Sequence, residues 1–277
     1  MARHSTHELL GDVSKKWNFV NRMKILTSLA IALTIAIVPV YAQKKATKPS
    51  VGAVAMATLK SAEAVLKASD KAMGKAAADK IISSITTATM EVPASGIKGD
   101  METIVSKDRF FMKQSLPGTG DFIMGFDGKK GWAKDPINGL RELEGAELTQ
   151  LRDETKASSD WKTRFKKAEL LGIRKVGTAK AYAIRLTPVS GAVQTQYIDI
   201  KTFFLLRADT VAVGPQGKTP IETYLSDYRL IDGTYIPFKT RSVVFGIQEV
   251  LVTFRAVKNN VPVDETIFFA PKATPKK

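Results

Sequence analysis

Arg109-Phe-Phe-Met-Lys-Gln-Ser-Leu116, Pro117-Gly-Thr-Gly120, Asp121-Phe-Ile-Met-Gly-Phe-Asp127, Gly128-Lys-Lys130, Gly131-Trp132: two alternating segments, each closed by a turn, decide the fold. Successive side chains of a strand point to opposite faces, so Phe110 and Met112 share one face and Phe111 takes the other. In the next segment Phe122, Met124 and Phe126 share a face. Pro-Gly-Thr-Gly and Gly-Lys-Lys are turn chemistry, and the spacing is that of an antiparallel meander. Upstream, Thr86–Val92 and Ile97–Ser106 read the same way, separated by Pro-Ala-Ser-Gly. Downstream lie the short Gly131–Lys134 and a terminating Pro136-Ile-Asn-Gly139.

Residues 141–167 break the period of two. Leu143, Leu148 and Leu151 among acidic residues predict a helix, and Ser158-Ser159-Asp160 predicts the N-cap of a second one carrying Trp161 and Phe165. Strands then resume at Ala168–Val176, Lys180–Thr187, Gln194–Ile200, Phe203–Val213, Pro220–Leu230, Tyr235–Phe245 and Gln248–Lys258. At the other end, Leu59, Ala62, Leu66 and Met73 fall at helical spacing, predicting helices at 57–73 and 75–84 on either side of Gly74. The fold class is therefore mainly β (α+β). One curved antiparallel sheet of about a dozen strands is expected to form a half-open barrel, with N-terminal helices and a mid-chain helical lid.

Ahead of this domain, Arg22-Met23-Lys24 precede the uncharged run Ile25–Val38, and Val40-Tyr41-Ala42 supplies small residues before Gln43. These are the parts of a secretory signal peptide, with cleavage expected after Ala42 and a periplasmic destination. The expected organisation is 1–22 as an upstream extension or misassigned start and 23–42 as signal. A linker at 43–56, the domain at 57–271 and a basic tail at 272–277 follow. Gln43 stands where acylation would need a cysteine.

Composition narrows the chemistry. The 277 residues include no cysteine, and the two histidines, His4 and His7, precede the signal. The expected mature chain thus has neither thiol nor imidazole, which excludes disulfides, Cys/His zinc sites and His-dependent triads. No calcium-loop spacing occurs, and Asp127-Gly128 and Asp232-Gly233 are turn pairs, not a carboxylate dyad. Catalytic residues, metal ligands and cofactors are accordingly expected to be none.

The net charge of +15 falls to +12 without residues 1–42. In an exported protein such basicity favours a membrane surface over nucleic acid. Met beside aromatics makes an adaptable apolar wall. The candidate ligand wall is Phe110, Met112, Phe122, Met124 and Trp132, capped by Leu148, Leu151, Trp161 and Phe165. The candidate membrane or partner contact is Lys107, Arg109, Lys162, Arg164, Lys166 and Lys167.

Four motifs in register carry a family resemblance over roughly residues 60–271. Phe126-Asp-Gly-Lys-Lys-Gly-Trp132-Ala-Lys-Asp-Pro136 resembles the D-G-K-x-x-W…P hairpin of the periplasmic lipoprotein carrier (LolA-like) family. Val257-Lys-Asn-Asn-Val-Pro-Val-Asp264-Glu-Thr-Ile-Phe268-Phe-Ala-Pro271 resembles its closing segment. Tyr197-Ile-Asp199…Arg207 and Asp227-Tyr-Arg229…Pro237 are similar to outer-membrane lipoprotein-sorting relatives. The resemblance implies an unclosed barrel with a helical lid over a site for acyl chains. As partners it implies lipid or an acylated lipoprotein, with an inner-membrane transporter or outer-membrane acceptor. A monomer is expected, and the alternative role is an envelope regulatory or interaction module of the same fold. The family's basic residue and proline entering the third strand are replaced by Ser106-Lys107-Asp108-Arg109-Phe110, where Lys107 and Arg109 are the candidates to stand in. Each buried CH₂ is worth about 0.8 kcal/mol, so a carrier must offer a long acyl chain on the order of ten kcal/mol of contacts.

Overall fold

A computed structural model describes residues 59–155, 161–214 and 217–271. Residues 1–56, the Ser158-Ser159-Asp160 cap and the tail 272–277 lie outside them. The described strands are β1 (Ser83–Val92), β2 (Ile97–Ser106), β3 (Arg109–Leu116), β4 (Gly120–Phe126), β5 (Gly131–Asp135), β6 (Gly139–Leu143), β7 (Phe165–Val176), β8 (Ala179–Pro188), β9 (Gln194–Asp199), β10 (Leu205–Gly214), β11 (Gly217–Ile231), β12 (Thr234–Val244) and β13 (Gln248–Asn259). They form one sheet in the order β6-β5-β4-β3-β2-β1-β13-β12-β11-β10-β9-β8-β7. Every step is an antiparallel hairpin except β1–β13, which joins the beginning of the meander to its end. The edges β6 and β7 do not pair with each other, so the curved sheet is a half-open barrel.

Helix α1 (Ala62–Met73) is capped by Ser61, whose Oγ accepts from the Ala64 amide at 3.2 Å. Glu63 in the first turn and Lys71 in the last suit the helix dipole. It stops at Gly74, which is left-handed at φ 84° and bonds back to the Asp70 and Lys71 carbonyls. A Cβ at Gly74 would lie 2.1 Å from the Gly233 carbonyl oxygen, so glycine is also what lets the helix corner touch the β11–β12 turn.

Two sequence expectations are corrected here. The helix predicted for 75–84 is only α2 (Lys75–Ala78). Ser84 and Ile85 pair with β2 on one side and β13 on the other, and a two-sided ladder outweighs helix propensity in a short Ala-rich segment. Likewise the meander does not end at Gly139. Asp135 Oδ1 accepts from the Ile137 and Asn138 amides, both at 2.8 Å, and the chain reverses into β6. Leu143, expected on a helix, is therefore the last residue of an edge strand.

The helical insertion follows as α3 (Gly145–Thr155) and α4 (Trp161–Arg164). Helices α1 to α3 bury residues against one face of the sheet, the inner face. Two apolar clusters lie there. One spans β1–β6 and β10–β13 and includes Leu151 of α3; the other joins Ala62, Val65 and Leu66 of α1 to Tyr182, Ile184, Leu186 and Ile198.

Candidate functional site

Strand β3 alternates as the sequence predicts: Phe110, Met112, Gln114 and Leu116 are buried, and the residues between are half-buried. Register then builds the wall. Phe110 faces Phe126, Met112 faces Met124, and Gln114 faces Phe122 across the β3–β4 ladder. The wall continues through Met101, Ala88 and Met90 to Val252 and to Phe254, whose ring meets that of Phe238 edge-on at 6.0 Å. Polar side chains interrupt this face at Thr86, Gln114, Thr210 and Thr240; the Thr223 and Ser242 hydroxyls bond each other at 3.1 Å, whereas Thr210 Oγ1 is buried without a partner among the described residues.

Helix α3 crosses this face and is tied down at both ends by polar contacts. Arg141 of β6 forms a bidentate pair with Glu147, Nη1 to Oε2 at 2.7 Å and Nη2 to Oε1 at 2.6 Å. Glu147 holds the Arg141 guanidinium above its ordinary pKa despite partial burial. One turn on, Gln150 Oε1 accepts from the Val213 amide of β10 at 2.8 Å. Asp153 accepts from the Ser190 hydroxyl in the β8–β9 turn. Between these ties Leu151 is buried in the wall and Leu148 packs half-buried beside it. Helix α3 thus spans the opening between the β6 edge and the far half of the sheet.

Its last turn holds the most perturbed carboxyl of the region. Gln150 Nε2 donates to Glu154 Oε1 at 2.8 Å, while Oε2 is buried without a partner among the described residues. Desolvation raises the Glu154 pKa to about 7, the Gln150 hydrogen bond and the charge of Arg164 opposing it. Burial in turn lowers the pKa of Arg164, which lies over the Phe165 ring at 5.5 Å.

The structure brings six of the nine predicted wall residues together: Phe110, Met112, Phe122, Met124, Leu148 and Leu151. Phe165 and Trp161 belong to the second cluster under α1, because β7 is at the opposite edge of the sheet from β5 and β6. Trp132 is a correction. It pairs with Gly125, whereas Ala133 pairs with Met124, so the indole points to the outer face. There it lies 6.5 Å from the Phe111 ring and donates from Nε1 to the Phe268 carbonyl at 2.8 Å. Gly125 makes the room: a Cβ there would sit 2.3 Å from the indole nitrogen. Asp264 caps the short 3-10 helix Glu265–Phe268 by accepting from the Thr266 amide at 2.9 Å, and Phe268 is fully buried. The Asp-Gly-Lys-Lys-Gly-Trp hairpin and the closing segment therefore form one latch on the outer face.

The predicted basic contact is also divided. Arg109 pairs with Glu265, and the Lys107 amide donates to the Ile82 carbonyl at 2.9 Å, so both secure the chain where the latch begins. Lys162 pairs with Glu63 of α1 at 2.6 Å, and Arg164 faces Glu154 and Asp153. Lys166 and Lys167 are exposed on edge strand β7 near the other end of the sheet. The residue that pins the lid is Arg141, which sequence reading missed. Its signal was present: an arginine six residues before a glutamate, across a strand-to-helix change.

No family model matches the chain, and no curated protein matches it. Among solved structures it is similar to a DUF1329 family protein from Desulfovibrio piger (12% identity, 75% of this chain and 97% of that one, TM-score 0.52). It is also similar to a putative outer membrane lipoprotein-sorting protein domain from Vibrio parahaemolyticus (12%, 75% and 97%, 0.51). A third is a LolA superfamily protein from Nitrosomonas europaea (12%, 76% and 98%, 0.50). At this identity the likeness is one of fold: the unclosed antiparallel sheet with helices on its inner face is a LolA-like fold.

Proposed function

We propose that this chain is an exported, non-enzymatic binding protein that holds lipid, or the acyl part of a lipoprotein, against the inner face of its half-barrel under α3. The observation that carries the reading is the Phe110/Met112/Phe122/Met124 wall on the inner face of an unclosed sheet, spanned by a helix whose ties are polar and few. Such ties exchange readily with water, whereas the wall does not, so lifting α3 exposes an adaptable apolar surface at modest cost. Export through residues 23–42 places the protein where such cargo crosses between membranes. The Vibrio parahaemolyticus domain of the same fold, described as lipoprotein-sorting, supports the cargo class.

Native mass spectrometry of the protein, recovered from a periplasm without detergent, tests this. A bound species removed by delipidation and restored by a lipopeptide is expected. Recovery of ligand-free protein that takes up no lipopeptide would contradict it.

A further inference from the structure

The antiparallel order sorts the hairpin turns into two rims. At one end lie residues 93–96, 117–119, 136–138, 189–193 and 245–247, together with Gly214 and Gly217, the paired ends of β10 and β11. At the other lie 107–108, 127–130, 177–178, 200–204 and 232–233. In a sequence that is 25% charged, none of the first set contains Asp, Glu, Lys or Arg, and Gly214-Pro-Gln-Gly217 has none either. The second set carries Lys107, Asp108, Asp127, Lys129, Lys130, Lys201 and Asp232.

The uncharged rim also collects exposed apolar side chains. Ile247 is 86% exposed and Phe245 53%, both on the β12–β13 turn, and further along the same end Val189 and Val193 of the β8–β9 turn, Ile137 of the β5–β6 turn and Leu140 at the start of β6 are exposed. Phe245 holds a left-handed φ of 52°, so the turn presents its ring outward at a conformational cost that burial there does not explain.

Behind this rim the charge is positive. Glu91, Asp121 and Glu249 are each ion-paired, to Lys98, Lys113 and Arg241. Asp135 is engaged in capping its turn. Lys134 and Lys218 are exposed within two residues of turns at this end, Lys166 is exposed at the start of β7, and Arg185 is exposed four residues before the 189–193 turn. An apolar tip backed by cations is complementary to an anionic bilayer, with the tip at the headgroup–acyl boundary and the cations at the phosphates. Single side chains spread over several turns suit a deformable lipid plane, whereas a protein partner takes a contiguous anchor cluster.

The geometry points to this rim as the surface that docks on an anionic membrane, led by Phe245 and Ile247. The lid ends there: Ser190 of the 189–193 turn bonds Asp153, and the Val189 amide donates to the Arg164 carbonyl at 3.0 Å. Docking therefore sets the opening of the half-barrel next to lipid. The inference goes beyond acyl-chain binding and its test needs no cargo, so the two fail separately.

Flotation of the full mature chain with phosphatidylcholine vesicles, with and without about 30% phosphatidylglycerol, tests it. Binding to the anionic vesicles is expected, falling roughly tenfold or more in the F245S/I247S pair and little in I82S/F269S at the opposite rim. These residues are exposed, so thermal melts should match wild type. Absence of wild-type binding, equal binding by the F245S/I247S pair, or equal loss in the I82S/F269S pair would each overturn the proposal. So would a wild-type dimer abolished by F245S/I247S, which would assign the rim to a second copy.

Discussion

Strands β3 to β5 carry aromatic residues on both faces, and the two faces are built by opposite rules. On the outer face, Trp132 meets Phe111, its ring N–H is satisfied by the Phe268 carbonyl, and Gly125 is hollowed out to fit the indole. That is a single-solution joint. On the inner face, Phe110, Met112, Phe122 and Met124 offer shape without hydrogen-bond demands, in a cluster to which the polar-tied helix adds Leu151 and, packed against it, Leu148. Composition does not separate a joint from a wall. What separates them is whether polar groups fix one partner.

The largest expected effect breaks the joint. Trp132→Ala and Phe268→Ala should each cost about 3–5 kcal/mol in urea unfolding. Because both residues belong to one latch, closed by the Trp132 indole on the Phe268 carbonyl, the double variant should cost clearly less than the sum; additive losses would show that the latch is not a unit.

On the other face, Arg141→Met should leave the wall intact and loosen the lid. Loss of a bidentate charged pair is expected to cost about 1.5–3 kcal/mol and to speed dissociation of a fluorescent acyl probe. An unchanged off-rate would mean that α3 does not gate the inner face.

Glu154 sharpens the same comparison through pH. The folded chain keeps its proton up to about pH 7, whereas the unfolded chain releases it near the model-peptide value of 4.5. Between these values the folded state binds more protons, so stability falls as pH rises through the window. The urea midpoint should therefore be higher near pH 5 than near pH 7.5, and Glu154→Gln should flatten the difference. Arg164 and Asp153 face this carboxyl, the first opposing the shift and the second adding to it. A slope that survives Glu154→Gln would place its origin elsewhere.

The smallest effect belongs to the exposed Lys162–Glu63 pair. Glu63→Gln should change stability by no more than about 1 kcal/mol in thermal melts at low salt.

How far the sequence was legible follows from these particulars. Strands β2 and β3 were read to the residue, because alternation and turn chemistry agreed there. Strand β6 was missed because Asp135 builds its turn through side-chain caps, while the charged Arg141 and Glu142 hide the alternation of an edge strand. Trp132 was placed on the wrong face because residues 127–130 reset the register, and only the pairing of Gly125 with Trp132 shows which side it takes. The wall residues needed nothing beyond local period. The lid pin, the latch and the division of the basic residues between two ends required topology, since their partners lie across the sheet or on another element.

If the protein carries acyl cargo, that cargo touches the inner wall and not the outer joint. Benzoylphenylalanine placed at Met124 and, separately, at Phe111 tests it: the proteins are irradiated as recovered from the periplasm and their intact masses are measured. A light-dependent lipid or lipopeptide adduct at position 124 and none at 111 is the predicted result; no adduct at 124, or equal adducts at both, would contradict it.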